Sequence, residues 1–330
     1  MQYKSLKGFT GFGQLGILLV FVGLGLVLTG FIQLFIGMKI VPEGTSFSQL
    51  GDATISALKD PENIGIARLM QVLGTFTMLF IPAVLFSLVC NGKNPLWLGF
   101  NKYINVYQVL LGFLIIFTAN IMAAPLAQIV KSIVGYLPSL DKMAKELEAT
   151  YNEQVILISN LKSWPEFMLA ILIMAFFPAM FEEVFFRGAI QQLLVKCWKM
   201  PLLAIIVTSL LFSLIHMSVY LFLSRAVLGF VLGLMYYKTK NIWVNIIAHF
   251  LNNLIAVAQL FSMSRNKEKM DISKLDPKVD WWFALIAIAI LFFLFKLLTR
   301  YSERNNMKIY TKEQALMVNE SIGNPFVQSN

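Results

Sequence analysis

Apolar residues in this chain gather in long windows with almost no charge, broken by short polar stretches. A window of about 20 apolar residues is the length that crosses a bilayer core as a helix. Such windows fall at roughly 14–38, 68–90, 105–130, 165–190, 201–218, 221–237, 241–263 and 280–299. The fifth and sixth are separated only by Met217 to Tyr220, so a tight turn or a re-entrant arrangement is open there. The pattern predicts an all-α polytopic membrane protein with about eight transmembrane helices.

The polar stretches differ among themselves. Residues 139–155 carry Leu140, Met143, Leu147 and Tyr151 at helical spacing with charges between them. They predict an amphipathic extramembrane helix, either on the outer surface or capping the bundle, or solvated and packed on its neighbours. Residues 264–280 are highly charged, carry Pro277 and read as an exposed loop; the polar tail after Ser302 reads as mobile. Three units follow: 1–160, with the first three spans and the amphipathic helix; 161–263, with spans four to seven; and 264–330, with the loop, the last span and the tail. Gly229 and Gly233 form a GxxxG face that permits close helix approach.

Composition agrees with a membrane protein. Of 330 residues, 58% are hydrophobic and 14% charged, against about 25% charged in soluble domains. The net charge of +9 is spread over short loops and the tail, which argues for membrane orientation rather than nucleic-acid binding. Lys4 and Lys7, Lys93 and Lys102, Lys196 and Lys199, Lys238 and Lys240, and the basic tail all alternate onto one side of an eight-span chain. The positive-inside rule then predicts both termini in the cytoplasm. The first apolar run exceeds the roughly 7–15 residues of a signal-peptide core and reads as an uncleaved span. Cys90 and Cys197 form no CxxC pair and support no thiolate metal site.

The candidate chemistry lies inside the spans. His216 and His249 are the chain's two histidines, and both sit in apolar segments. The fourth span carries Glu182, Glu183 and Arg187. Ionisable groups in hydrocarbon are costly unless paired or facing a wet cavity. Glu183 and Arg187 are four apart and can pair on one helix face. Glu182 is turned about 100° away from that partner and is the candidate acid or base. Pro178, four residues earlier, can open the helix beside it. Phe212 shares a face with His216, and Asn253 shares one with His249. Asn253 is a neutral donor suited to a developing oxyanion. Asn252 reads as a helix-contact residue, and Asn120, Arg225, Asn245 and Gln259 as weaker candidates.

EEVFFR (182–187), FSLIH (212–216) and HFLNN (249–253) occur in this order on successive spans. The trio resembles the EExxxR, FxxxH and HxxxN motifs of the CPBP family, which includes CAAX prenyl endopeptidases, bacteriocin-processing and self-immunity proteins, and the lysostaphin-resistance type. The resemblance covers about residues 165–260. It implies hydrolysis of a peptide bond in a membrane-associated, prenylated or leader-type substrate. Glu182, assisted by His216, would activate a water; Asn253, with His249, would hold the oxyanion; Glu183, Arg187 and Phe212 would support them. Members of that family have been read as glutamate proteases or as metalloproteases; with no HExxH motif in the chain, and with any metal's ligands drawn from several helices, the expectation is no cofactor, in a bacterial plasma membrane. Three other readings stay open on the residues: a zinc protease with Glu182, His216 and His249 as ligands, a non-enzymatic immunity or scaffold protein, and a proton-relaying transporter.

Overall fold

A computed structural model describes residues 3–159, 161, 163–265 and 279–322. The described residues are helical almost throughout. In chain order the helices are α1 (Gly11–Ile40), α2 (Leu50–Leu58), α3 (Ile64–Cys90), α4 (Val106–Gly135), α5 (Pro138–Ile158), α6 (Trp164–Trp198), α7 (Pro201–Leu214), α8 (Phe222–Thr239), α9 (Ile242–Arg265) and α10 (Trp281–Ile322). Six of them, α1, α3, α4, α6, α9 and α10, are long and apolar enough to cross a membrane.

Each of the eight apolar windows falls on a helix, with three differences. Helix α7 has only 14 residues, about 21 Å at 1.5 Å per residue, so it stops short of a full crossing. The 201–237 segment is thus a short-armed hairpin whose two ends lie on the same side. Helix α2 is short and has no counterpart among the windows. The last helix does not end near residue 299 but continues to Ile322, so the tail read as mobile is helical that far. Ser302 and Asn305, a turn apart and buried, hold it by bonding Gln108 of α4 at 2.9 Å each. The charged loop at 264–280 and the last residues lie almost wholly outside the described residues.

Local sequence sets the helix starts. Asn105 and Gln108 form a capping box at the start of α4, and Ser163 and Glu166 form one at the start of α6, each satisfying two otherwise unpaired N–H groups. Helix α6 has widened π-type turns at Ile171–Phe176 and Val184–Gln191. Between them lies Pro178, which lacks an N–H to continue the ladder. Glu182 and Glu183 close the normal stretch between the two wide turns.

The bundle has two distinct ends. At one, Lys7 Nζ donates to the Leu88 carbonyl at 2.9 Å, Asn101 Nδ2 to the Lys240 carbonyl at 3.0 Å, and Asn306 Nδ2 to the Lys238 carbonyl at 2.8 Å. The N-terminal segment, the α3–α4 loop, the α8–α9 turn and the polar half of α10 therefore meet there, with Lys196 over the Trp97 ring. At the other end, α5 lies across the α7–α8 turn. Tyr220 donates to Asp141 at 2.7 Å, Ser218 to Glu148 at 3.1 Å, and Arg225 stacks on Tyr151 at 5.0 Å.

Close helix approach brings the central helices into register. A Cβ on Gly229 would lie 3.1 Å from the Phe212 ring and 3.3 Å from Ser209. One on Gly233 would lie 2.8 Å from Ile205 and from Gln191. The GxxxG face of α8 thus lets α7 and α6 approach, by packing that lipid does not replace.

Candidate active site

Four elements contribute: the normal turn of α6 with Glu182 and Glu183, the α7–α8 turn with His216, α8 with its Gly229 carbonyl, and α9 with Asn245 and His249. His216 is not on a helix, contrary to the reading of 201–218 as one span. Its helix ends at Leu214, and Met217 adopts a left-handed conformation with φ of 51°. That conformation is uncommon for a side chain of this size, and it reverses the chain. Backbone bonds from His216 to Ser213 and from Met217 to Leu214 hold the turn. The imidazole keeps one link to the helix: its Nδ1 lies 2.7 Å from the Phe212 carbonyl.

Glu182, His216 and His249 come together. Glu182 Oε2 is 4.0 Å from His216 Nε2 and 3.9 Å from His249 Nε2. Glu182 and His249 are buried, and His216 is partly exposed. Hydrogen-bond partners assign the tautomers. A carbonyl only accepts, so His216 Nδ1 carries the proton against Phe212. Glu183 Oε1, 2.9 Å from His249 Nδ1, is ion-paired and also accepts, so His249 Nδ1 carries a proton too. Both rings then turn Nε2 toward the Glu182 carboxyl. The separations exceed a direct hydrogen bond and suit a bridging water.

Behind these three groups lies a fully buried network. Arg187 Nη1 donates to Glu183 Oε1 at 3.0 Å, with both side chains at 0% exposure. Arg187 Nη2 donates to the Gly229 carbonyl at 3.0 Å. Asn245 Nδ2 donates to Glu183 Oε2 at 3.1 Å and to the Leu232 carbonyl at 2.7 Å. A buried charge pair stands when most of its remaining lone pairs and protons are satisfied; here α8 and α9 supply those partners, and Arg187 Nε and Asn245 Oδ1 are the buried atoms of the network left without one among the described residues. The Phe212 ring fills the centre: it lies 4.8 Å from the Arg187 guanidinium, 4.8 Å from the His216 ring, 6.0 Å from the His249 ring and 5.3 Å from Phe186. Such aromatic contacts contribute about 0.5–1.5 kcal/mol each beyond area burial, and here they also fix two imidazole planes.

Asn253 sits one turn beyond His249 on α9, partly exposed, with its Oδ1 3.4 Å from Asn252 Nδ2. Asn245, a weaker candidate by sequence, belongs to the network; its signal was its place four residues before His249. Arg225 Nη1 donates to the His216 carbonyl at 3.3 Å. Gln259 is on the same helix, two turns beyond the site.

The donor types of Glu182, His216 and His249 are those zinc takes. Glu182 Oε2 lies 3.9 and 4.0 Å from the two Nε2 atoms; around a tetrahedral zinc with bonds of about 2.0–2.1 Å, ligand atoms lie roughly 3.4 Å apart. Among the described residues, no group of three or more His, Cys, Asp or Glu side chains is arranged to hold a metal ion.

Residues 164–255 match the sequence model of the Rce1-like type II CAAX prenyl endopeptidases. The matched stretch runs from the start of α6 into α9 and holds Glu182, Glu183, Arg187, Phe212, His216, His249 and Asn253. It leaves out α1 to α5 and α10. No curated protein and no solved structure matches the chain.

Proposed function

We propose that this chain is an intramembrane endopeptidase acting on a membrane-anchored polypeptide by glutamate-activated water. The observation that carries the reading is the convergence of Glu182 with two imidazoles whose Nδ1 protons are already committed to Phe212 and Glu183. Nothing in helix packing requires two Nε2 atoms aimed at one buried carboxyl.

In the proposed reaction a water lies against Glu182 and His216. Glu182 takes its proton as the oxygen attacks the scissile carbonyl carbon, giving a tetrahedral oxyanion. Asn253 donates to that oxyanion, and His249 adds a donor at Nε2 in its imidazolium form. The C–N bond then breaks, and the proton held by Glu182 passes to the leaving amine. Arg187, Glu183 and Asn245 do not touch substrate in this scheme; they hold His249. The match to a family of prenyl endopeptidases favours a substrate whose lipid anchor brings a short peptide segment to the bundle.

The test is cleavage by detergent-purified protein. A farnesylated CAAX-type peptide and its unprenylated counterpart serve as probes, beside a comparison of membrane peptides from cells carrying wild type or Glu182→Ala. Peptides that appear only with wild type support the reading. Identical peptide profiles, with no cleavage of either probe, would leave the polar cluster as a packing device.

A further inference from the structure

A carboxamide has two unlike ends. Only its Nδ2 can donate to an oxyanion; its Oδ1 would repel one. An Asn253 free to turn over would have to be oriented at each turnover, so a fixed orientation calls for a partner at its Oδ1.

The cause can be followed back to a backbone carbonyl. The Ile116 carbonyl of α4 can only accept, and Asn120 Nδ2 lies 2.9 Å from it. That settles which end of Asn120 is which. The same Nδ2 donates to Asn252 Oδ1 on α9. Asn252 is thereby held with its Nδ2 on the other side, where it donates to Asn253 Oδ1 at 3.4 Å. Donor meets acceptor at every step. Turning any one amide over would set oxygen against oxygen or N–H against N–H in a part-buried setting, where water compensates the mismatch only in part.

We propose that Asn120 and Asn252 are positioning residues, forming a directional amide relay from the Ile116 carbonyl that engages Oδ1 of Asn253 and leaves its Nδ2 for the substrate oxyanion. This rests on the reading of Asn253 as an oxyanion donor. It gives α4, which lies outside the family match at 164–255, a direct part in the site. It also assigns Asn252 a role beyond helix contact.

The experiment uses Asn120→Leu, which keeps approximate size and removes both donations without adding charge. Full-length protein labelled with ¹⁵N-asparagine in detergent micelles reports the Asn253 side-chain amide, assigned by its loss in Asn253→Ala. The relay predicts that Asn120→Leu shifts that signal and leaves the amide of Asn241, in the α8–α9 turn, unmoved. Activity on the farnesylated probe should fall about 10-fold in kcat with KM unchanged, less than the 10²–10³ for removing an oxyanion donor outright. The loss should vanish in an Asn253→Ala background. Asn252→Asp, which still accepts from Asn120 but cannot donate to Asn253, is the second variant should Asn120→Leu fold poorly, and it should act the same way. An unmoved Asn253 signal in folded variant protein, or losses that multiply in the double variant, overturns the relay. If wild type cleaves no probe, the proteolytic reading suffers and the amide signal alone decides on the relay.

Discussion

His249 Nδ1 lies 2.9 Å from Glu183 Oε1, the same carboxylate oxygen that Arg187 reaches at 3.0 Å. One oxygen thus links the buried ion pair to the imidazole beside Glu182. Removing either partner of a buried pair leaves an uncompensated charge, at a cost of about 3–5 kcal/mol. Arg187→Ala should lower the melting temperature in detergent and the activity together. A variant that melts like wild type yet cleaves nothing would move Arg187 into the group that contacts substrate.

Glu182 is expected to separate from Glu183 in the opposite way. It faces imidazole Nε2 atoms at 3.9 and 4.0 Å and makes no ion pair with Arg187. Glu182→Gln keeps the shape and removes the base. Proteolysis should fall at least about 10²-fold while the melting temperature stays near that of wild type. Retained activity in well-folded Glu182→Gln protein would rule out the proposed role.

The spans and the ordered trio of motifs were readable because apolar windows and i,i+4 pairs depend only on local spacing. Three features were not. The end of α7 depends on a left-handed Met217, and nothing in a methionine signals that conformation. The continuation of α10 was hidden because its buried face is polar: Ser302 and Asn305 look like solvent-exposed residues until Gln108 of α4 meets them. The two-residue chemistry of Glu183 was only half visible. The arginine four residues away was legible, but His249, 66 positions on, reaches the same oxygen only through the fold.

Both chain ends are expected on one face of the membrane, the cytoplasmic one. Lys7, the Lys238 carbonyl and Asn306 all bond within the same end of the bundle, and the α7–α8 hairpin returns to the side it left. Cysteine substitutions at Lys4 and Lys312, probed with a membrane-impermeant reagent in intact and opened cells, measure this. Labelling of one in intact cells and the other only after opening would require an odd number of crossings.

The clasp between α5 and the His216-bearing turn should depend on pH at both extremes. Hydrogen bonds from Lys145 and Tyr220 hold the Asp141 carboxyl below the usual carboxylate range, and burial beside Asp141 pushes the Tyr220 phenol up to about 12. A depressed carboxyl pKa contributes stability above its unfolded value of about 3.9 and loses it as pH falls through the lower folded value. A raised phenol pKa contributes below about 10 and loses it as pH rises toward the folded value. Protease protection of α5 should therefore be flat between about pH 5 and 9 and fall outside that range. Asp141→Asn should lower it on the plateau and remove the acid limb. An acid limb that persists in Asp141→Asn would place the sensitive group elsewhere.

Chelation is expected to leave activity intact. In the proposed scheme the water is activated by Glu182 and positioned by His216, and each Nε2 is set by a proton acceptor on the far side of its ring. Zinc-bound histidines have the same kind of partner behind them, so that feature alone does not decide between the two chemistries. The distances do bear on it: a carboxyl oxygen 3.9 and 4.0 Å from the two nitrogens matches a shared water better than a shared ion. Zinc held by Glu182 and the two histidines would leave as the nearby carboxylate only Glu183, which is already paired with Arg187. The measurement is metal content by mass spectrometry on active protein, beside cleavage of the farnesylated probe with and without a strong chelator. Near one zinc per chain, with activity lost on chelation and restored by zinc alone, would replace the glutamate mechanism with a metal one.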